Sequence, residues 1–199
     1  HLATRVGATG VVVLGLTLEV IGVGLLAWVV GMQGSTWLIV LTLIVYGIGL
    51  GLASAQLTST VLHDIPTDQS GAGSATQSTV RQLGSALGAA IAGTALGSTM
   101  NHTIPDAVAS ISAVPTRLLD KLVHITEDSA GSAIPGLRNA SPNSPFIRPL
   151  GKSRGAVISS LETGFAHAAA WSIGLSSLFL VIGLLGAIMV RHEARKQVG

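Results

Sequence analysis

The chain has 199 residues, 48% of them apolar and only 10% charged, with a formal net charge of +2; soluble domains carry roughly one-quarter charged residues. It contains no cysteine, which excludes disulfides, thiolate metal sites and thiol nucleophiles. Its basic residues are scattered along one loop and the C-terminal tail and do not gather on a helix face, so no nucleic-acid partner is expected.

A bilayer core of about 30 Å needs about 20 apolar residues in helical form, because every backbone N–H and C=O must be paired within the segment. Four runs meet that requirement, at residues 10–30, 37–61, 73–99 and 164–190, and predict an all-α integral membrane fold. The chain opens on His1 with no initiator methionine, and its first apolar run is too long for a signal-peptide core, which reads as a fragment. Between the first two runs lies the short connection Gly31-Met32-Gln33-Gly34-Ser35-Thr36, so these helices should be antiparallel neighbours. Trp28 and Trp37 flank it, where an interfacial aromatic belt would sit.

The second and third runs are joined by the polar stretch His63 to Gly71, in which Pro66 breaks the helix and Asp68 or Ser70 can cap the next one. Residues 100–160 then form an extracytoplasmic loop too long for a simple connector. Inside it Leu118, Leu119, Leu122 and Ile125 recur at helical spacing after Pro115, which predicts a short amphipathic helix over residues 115–127. Downstream, Pro135, Pro142, Pro145 and Pro149 interrupt a stretch rich in Ser, Asn and Gly, which reads as a flexible linker. Residues 161–199 hold the last span and a basic tail. Arg5 before the first run and Arg191, Arg195 and Lys196 after the last predict cytoplasmic termini, with Lys152 and Arg154 a contrary signal.

Glu19 lies in the middle of the first run, where an ionised carboxylate costs on the order of a few kcal/mol, so acids there are rare and point into a bundle or cavity. Val12, Gly15, Gly22 and Leu26 share its helical face, and two of them are glycines that allow close helix approach. Two roles are open: a carboxyl that loads and releases a proton or couples to substrate, and one that only fixes packing. On the third run Gly73, Gln77, Arg81, Gly84 and Gly88 form one stripe, expected to be buried in protein, with Arg81 an interfacial anchor or part of a structural or gating ion pair. On the second run Tyr46, Gly49, Ala53, Gln56 and Thr60 share a face that reads either as a packing seam or as a surface for an organic ligand. The pairs Gly47 with Gly51, Gly84 with Gly88, and Gly93 with Gly97 carry the small-residue spacing of helix packing.

Signals of soluble enzymes fail. Gly151-Lys152-Ser153 ends like a phosphate-binding loop, but Phe146 stands at the required first glycine, and His192-Glu193 lacks the second histidine of a zinc-protease helix. His167 and the other histidines are dispersed. No catalytic set, metal site or cofactor is expected, and the chain reads as not an enzyme.

The segments Gly47-Ile48-Gly49-Leu50-Gly51, Gly71-Ala72-Gly73-Ser74 and Arg81-Gln82-Leu83-Gly84-Ser85-Ala86-Leu87-Gly88 resemble the fourteen-helix drug:proton antiporter family of the major facilitator superfamily. Arg5-Val6-Gly7-Ala8 looks like the end of that superfamily's basic loop motif. Ser78 and Ser85 depart from the family pattern, which commonly has asparagine and glycine there. The resemblance implies that the four runs are the last four transmembrane helices, part of the C-terminal bundle. The missing N-terminal helices of the same protein would complete the transporter. It further implies multidrug efflux from the plasma (inner) membrane by alternating access. The expected partners are the lipid bilayer, protons and a hydrophobic small-molecule substrate, cationic ones among them. The competing expectations are a non-transporting four-helix scaffold or assembly subunit, and a small homodimeric exporter built around Glu19.

Overall fold

A computed structural model describes residues 7–62, 65–145 and 147–196. Arg5 and Val6 of the loop motif, His63 and Asp64 of the polar connection, and Phe146 lie outside the described residues, as do the side chains of Thr60, Arg195 and Lys196. Long stretches of Leu, Val, Ile, Ala and Gly with few helix-breaking residues give α1 (Ala8–Gly31), α2 (Thr36–Leu62), α3 (Ser70–Val108) and α6 (Arg154–Lys196). Two shorter helices, α4 (Thr116–Asp128) and α5 (Ile134–Asn139), lie between α3 and α6. Single 3-10 turns occupy Thr67–Gln69 and Arg148–Ser153. Among the described residues the fold is all helical, and four of its helices are long and apolar enough to cross a membrane.

The chain packs as two units. The first comprises the described residues up to Val29, Gly34–Ala92, and those from Ile173 onward; the second comprises Val30–Gln33 and Gly93–Ser172. In the first, α1 and α2 run antiparallel with their backbones in contact. A Cβ added at Gly15 would lie 2.5 Å from the Ala53 nitrogen, one at Gly22 would lie 2.7 Å from the Tyr46 nitrogen, and one at Gly49 would lie 2.7 Å from the Glu19 nitrogen. The hydroxyls of Thr17 and Thr42 donate to carbonyls of their own helices, at Val13 and Ile39. The turn that ends α1 bonds the Gly34 N–H to the Val29 carbonyl at 2.8 Å. The outer surface is strongly apolar: Trp28 and Trp37, on either side of that turn, are 62% and 81% exposed, and Leu83 is 59% exposed. Such a surface suits lipid and would drive aggregation in water.

The second unit corrects two expectations for residues 100–160. First, the long helices do not stop where the apolar runs stop. The third continues past Thr99 and Pro105 to Val108, and the last begins at Arg154, ten residues before the predicted start. At 39 residues and about 1.5 Å each, α3 is about 58 Å long, well beyond a bilayer core of about 30 Å. Pro105 deletes one helical hydrogen bond, but Ile104 and Val108 beside it are buried, as are Val157 and Leu161 on α6, and that burial offsets the break. Gly164 meets α3 closely: a Cβ there would lie 2.8 Å from the Thr103 carbonyl oxygen, and the Thr103 hydroxyl donates to the Gly164 carbonyl at 2.9 Å.

Second, the Pro-rich stretch is no flexible linker. Ile134, Ile147 and Leu150 are buried in one cluster with Met100, Leu119 and Leu122, and Leu137 packs against it. The predicted amphipathic helix is α4, with Pro115 immediately before it and Leu119, Leu122 and Val123 buried. Its chain leaves through Gly131 at φ +80, where the ring of Phe165 occupies the space of a side chain. The Arg154 guanidinium closes the far end of α5, donating to the carbonyls of Leu137, Arg138 and Ala140 at 3.2, 2.7 and 2.8 Å. Arg138 pairs with Glu162 at 2.6 Å, a largely exposed contact that contributes about 0–1 kcal/mol. Arg154→Ala is expected to destabilise this region by about 1–3 kcal/mol, read as faster amide exchange over residues 134–140. All three bonds leave one guanidinium nitrogen, Nη2, so Arg154→Lys, whose ammonium carries three hydrogens, should recover part of the loss; no recovery by lysine would contradict this assignment.

Candidate functional site

The first unit encloses a half-open cavity of about 810 Å³. All four long helices line it: Val23 and Leu26 from α1, Leu43 and Tyr46 from α2, residues 84–92 in part from α3, and Ile173, Ser176, Phe179 and Leu180 from α6. Among the described residues no charged side chain lines it, and the polar side chains in the lining are Tyr46, Ser85 and Ser176. An apolar cavity with two aromatic rings and a few hydroxyls suits a hydrophobic small molecule held by shape and oriented by a few hydrogen bonds.

Glu19 is 5% exposed and sits where α1 crosses α2. Glu19, Val23 and Leu26 follow at four- and three-residue spacing on one face, so Glu19 is one turn, ~6 Å of rise, from the cavity-lining Val23 and two turns, ~10 Å, from Leu26. Its carboxyl has no hydrogen bond or ion pair among the described residues. The two glycines on its face, Gly15 and Gly22, are where α2 approaches, meeting Gly49, Ala53 and Tyr46.

The other predicted residues divide. Tyr46 lines the cavity, while Gln56, Gln77 and Arg81 do not. Gln77 is half-buried and donates to the Thr58 hydroxyl at 3.4 Å, a link between α3 and α2. Arg81 is exposed and forms no ion pair among the described residues, so the expected structural or gating pair is absent there. The stripe through Gly73, Gln77, Arg81, Gly84 and Gly88 is not buried in protein within this chain.

The packing glycines need correction as well. A Cβ at Gly47, Gly51, Gly84, Gly88, Gly93 or Gly97 would have no neighbour within 4 Å. Gly47 and Gly51 flank Gly49 on the exposed side of α2, and Gly84 and Gly88 face the cavity, where their missing side chains leave room and make no helix contact. Ser85, Ser176 and Phe179 were not singled out as cavity residues. Ser85 lies on the cavity wall. Nothing local marks Ser176 or Phe179, whose relevance depends on the face that α6 turns to the other helices. Among the described residues no group of three His, Asp or Glu side chains is placed to hold a metal ion.

Among the described residues, fold and site together define a helical protein with four segments long and apolar enough to cross a membrane, which line an apolar cavity with the buried Glu19 one turn away. Comparison with protein-family models, with curated proteins and with solved structures finds no match to this chain.

Proposed function

We propose that the chain forms the C-terminal part of a proton-coupled secondary transporter of the major facilitator type, which exports hydrophobic small molecules across the plasma membrane by alternating access. The observation that carries the reading is the buried Glu19, without a partner among the described residues, one turn from a largely apolar cavity of about 810 Å³. An intramembrane acid without a partner is costly to keep, and one placed at a helix crossing beside a ligand-sized cavity links its protonation to helix packing and to occupancy. Protonated, Glu19 is tolerated at its buried position; ionised, it favours opening of the α1–α2 crossing to water. Both termini are then cytoplasmic, with Arg191 on the cytoplasmic side of the last span. The resemblance of the Arg81–Gly88 run to drug:proton antiporters supports the same reading, and alternating access needs further helices to form the opposing wall of the cavity.

The test is efflux of ethidium from cells expressing the complete coding sequence that contains these residues. Efflux should stop when a protonophore collapses the gradient, and Glu19→Gln should reduce it to background while the protein still reaches the membrane. Export that persists without a proton gradient, or full transport by Glu19→Gln, would remove proton coupling through this residue.

A further inference from the structure

The described residues divide by surface chemistry. Every large apolar side chain that is exposed lies within residues 14–91 or 171–190, and none lies between them, over 92–170. On α6 the exposed face carries Ser159 and His167 before Trp171, then Leu175, Leu178 and Phe179 after it. On α3 the change comes after Ile91, beyond which the exposed residues are small or polar, Asn101, His102 and Asp106 among them. The intervening residues do not lack large apolar side chains; they bury them, and Met100, Leu122 and Leu161 are each no more than 1% exposed. The tryptophans stand where the surface changes. The chain has three, and Trp171 is 73% exposed, like Trp28 and Trp37 on the outside of its helix. Trp28 and Trp37 flank the α1–α2 turn, and that turn lies on α6 beside Trp171. A Cβ added at Gly31 would be 3.2 Å from the Ala170 Cβ, and the Gln33 side-chain amide donates to the Thr163 hydroxyl at 2.7 Å. From this level two helices independently measure one bilayer core. Trp28 is about 20 residues past the start of α1, and Trp171 is about 20 residues before Arg191, the first charged residue after it, ~30 Å of rise in each case.

We propose that Trp28, Trp37 and Trp171 form a collar that docks on the headgroup–acyl boundary of a phospholipid bilayer, with residues 93–170 outside the hydrocarbon. An indole suits that zone, because its apolar body rests on acyl chains while its N–H reaches headgroups and water. The collar is continuous with the apolar outer surface of the four spans, which already calls for lipid. A protein partner fits less well, because the three rings stand on three separate helices and the surface changes character across them. On α6 this places the boundary seven residues beyond the start of the apolar run at residue 164. Gly164, Phe165 and Ala168 count toward that run by hydropathy, but they face protein: Gly164 and Ala168 are buried, and Phe165 packs against the core of the second unit. The proposal rests on the four spans and is independent of the transport reading.

The test is fluorescence quenching of the full chain in phosphatidylcholine vesicles whose acyl chains carry bromine either just below the headgroup or near the bilayer centre. Pairs of the changes Trp28→Phe, Trp37→Phe and Trp171→Phe leave one tryptophan at a time. Each remaining ring should be quenched about twofold more strongly by the shallow bromine than by the deep one. In the chain with all three changes, Leu178→Trp, ~10 Å further along α6, should show the reverse order. In the same background His167→Trp, one turn to the other side, should be quenched less than Trp171 by either bromolipid and more by acrylamide in the water. Trp171 quenched best by the deep bromine, or His167→Trp quenched by lipid more strongly than Trp171, would put the boundary at the start of the apolar run and overturn the proposal. Tryptophans that neither bromolipid reaches would show that protein, a second copy or another chain, covers the collar, and would overturn it as well.

Discussion

Gly49→Leu is expected to separate α1 from α2 and to destabilise the first unit by about 3 kcal/mol or more, at or above the upper range for overpacked cores. The cost is high because the new side chain would grow into backbone. Even its first carbon would lie 2.7 Å from both the Glu19 nitrogen and the Gly15 carbonyl oxygen, and neither can rotate away as a side-chain tip can. The same change displaces the α1 backbone at Glu19, so any transport should fall together with stability. Gly84→Ala and Gly88→Ala are the controls: with nothing within 4 Å of the added carbon, each should alter stability by less than about 1 kcal/mol. Unfolding in a detergent titration, followed by tryptophan fluorescence from Trp28 and Trp37 at the α1–α2 turn, measures all three. A Gly49→Leu chain as resistant as the unmodified one would mean that the helices do not cross there.

Leu161→Ala should destabilise the second unit by about 2–5 kcal/mol. Leu161 is completely buried, and its neighbours in the core come from α3, α4, α5 and the 3-10 turn, so truncation leaves a cavity among elements distant in sequence. Hydrogen exchange in α4 and α5 should accelerate together, and protease should gain access to the residue 140–149 region. An effect confined to α6 would show that the short helices hold together without it. The prediction also separates a folded unit from the flexible linker that local composition suggests, because truncating a leucine outside a linker would not change the linker's protection.

The four spans were legible in the sequence because length and hydropathy are sums over consecutive residues, and a helix of apolar residues satisfies its backbone by itself. Glu19 was legible for the same reason, as a single acid in an apolar run, and so was its face, because Gly15 and Gly22 lie four before and three after it on one helix. The amphipathic helix α4 announced itself through Leu118, Leu119 and Leu122 followed by Ile125, a purely local spacing.

Which glycines make contact was not legible. Gly47, Gly49 and Gly51 are equivalent by composition, and only the direction from which α1 approaches decides that Gly49 is filled by backbone while the other two stay exposed. The same holds for Gln56, Gln77 and Arg81, whose polar character says nothing about whether a neighbouring helix leaves a cavity beside them. The Pro-rich stretch misled because its apolar residues, Ile134, Leu137, Ile147 and Leu150, are too sparse to build a core among themselves. The rest of that core comes largely from the ends of α3 and α6, whose continuation past the apolar runs depends on burial that exists only once the unit is folded. The sequence by itself determined that the chain has four segments suited to lipid and one acid within them. Only the tertiary structure decided what lies against that acid, where the cavities form, and that residues 93–172 make a packed unit, because each of these rests on contacts between residues far apart in the chain.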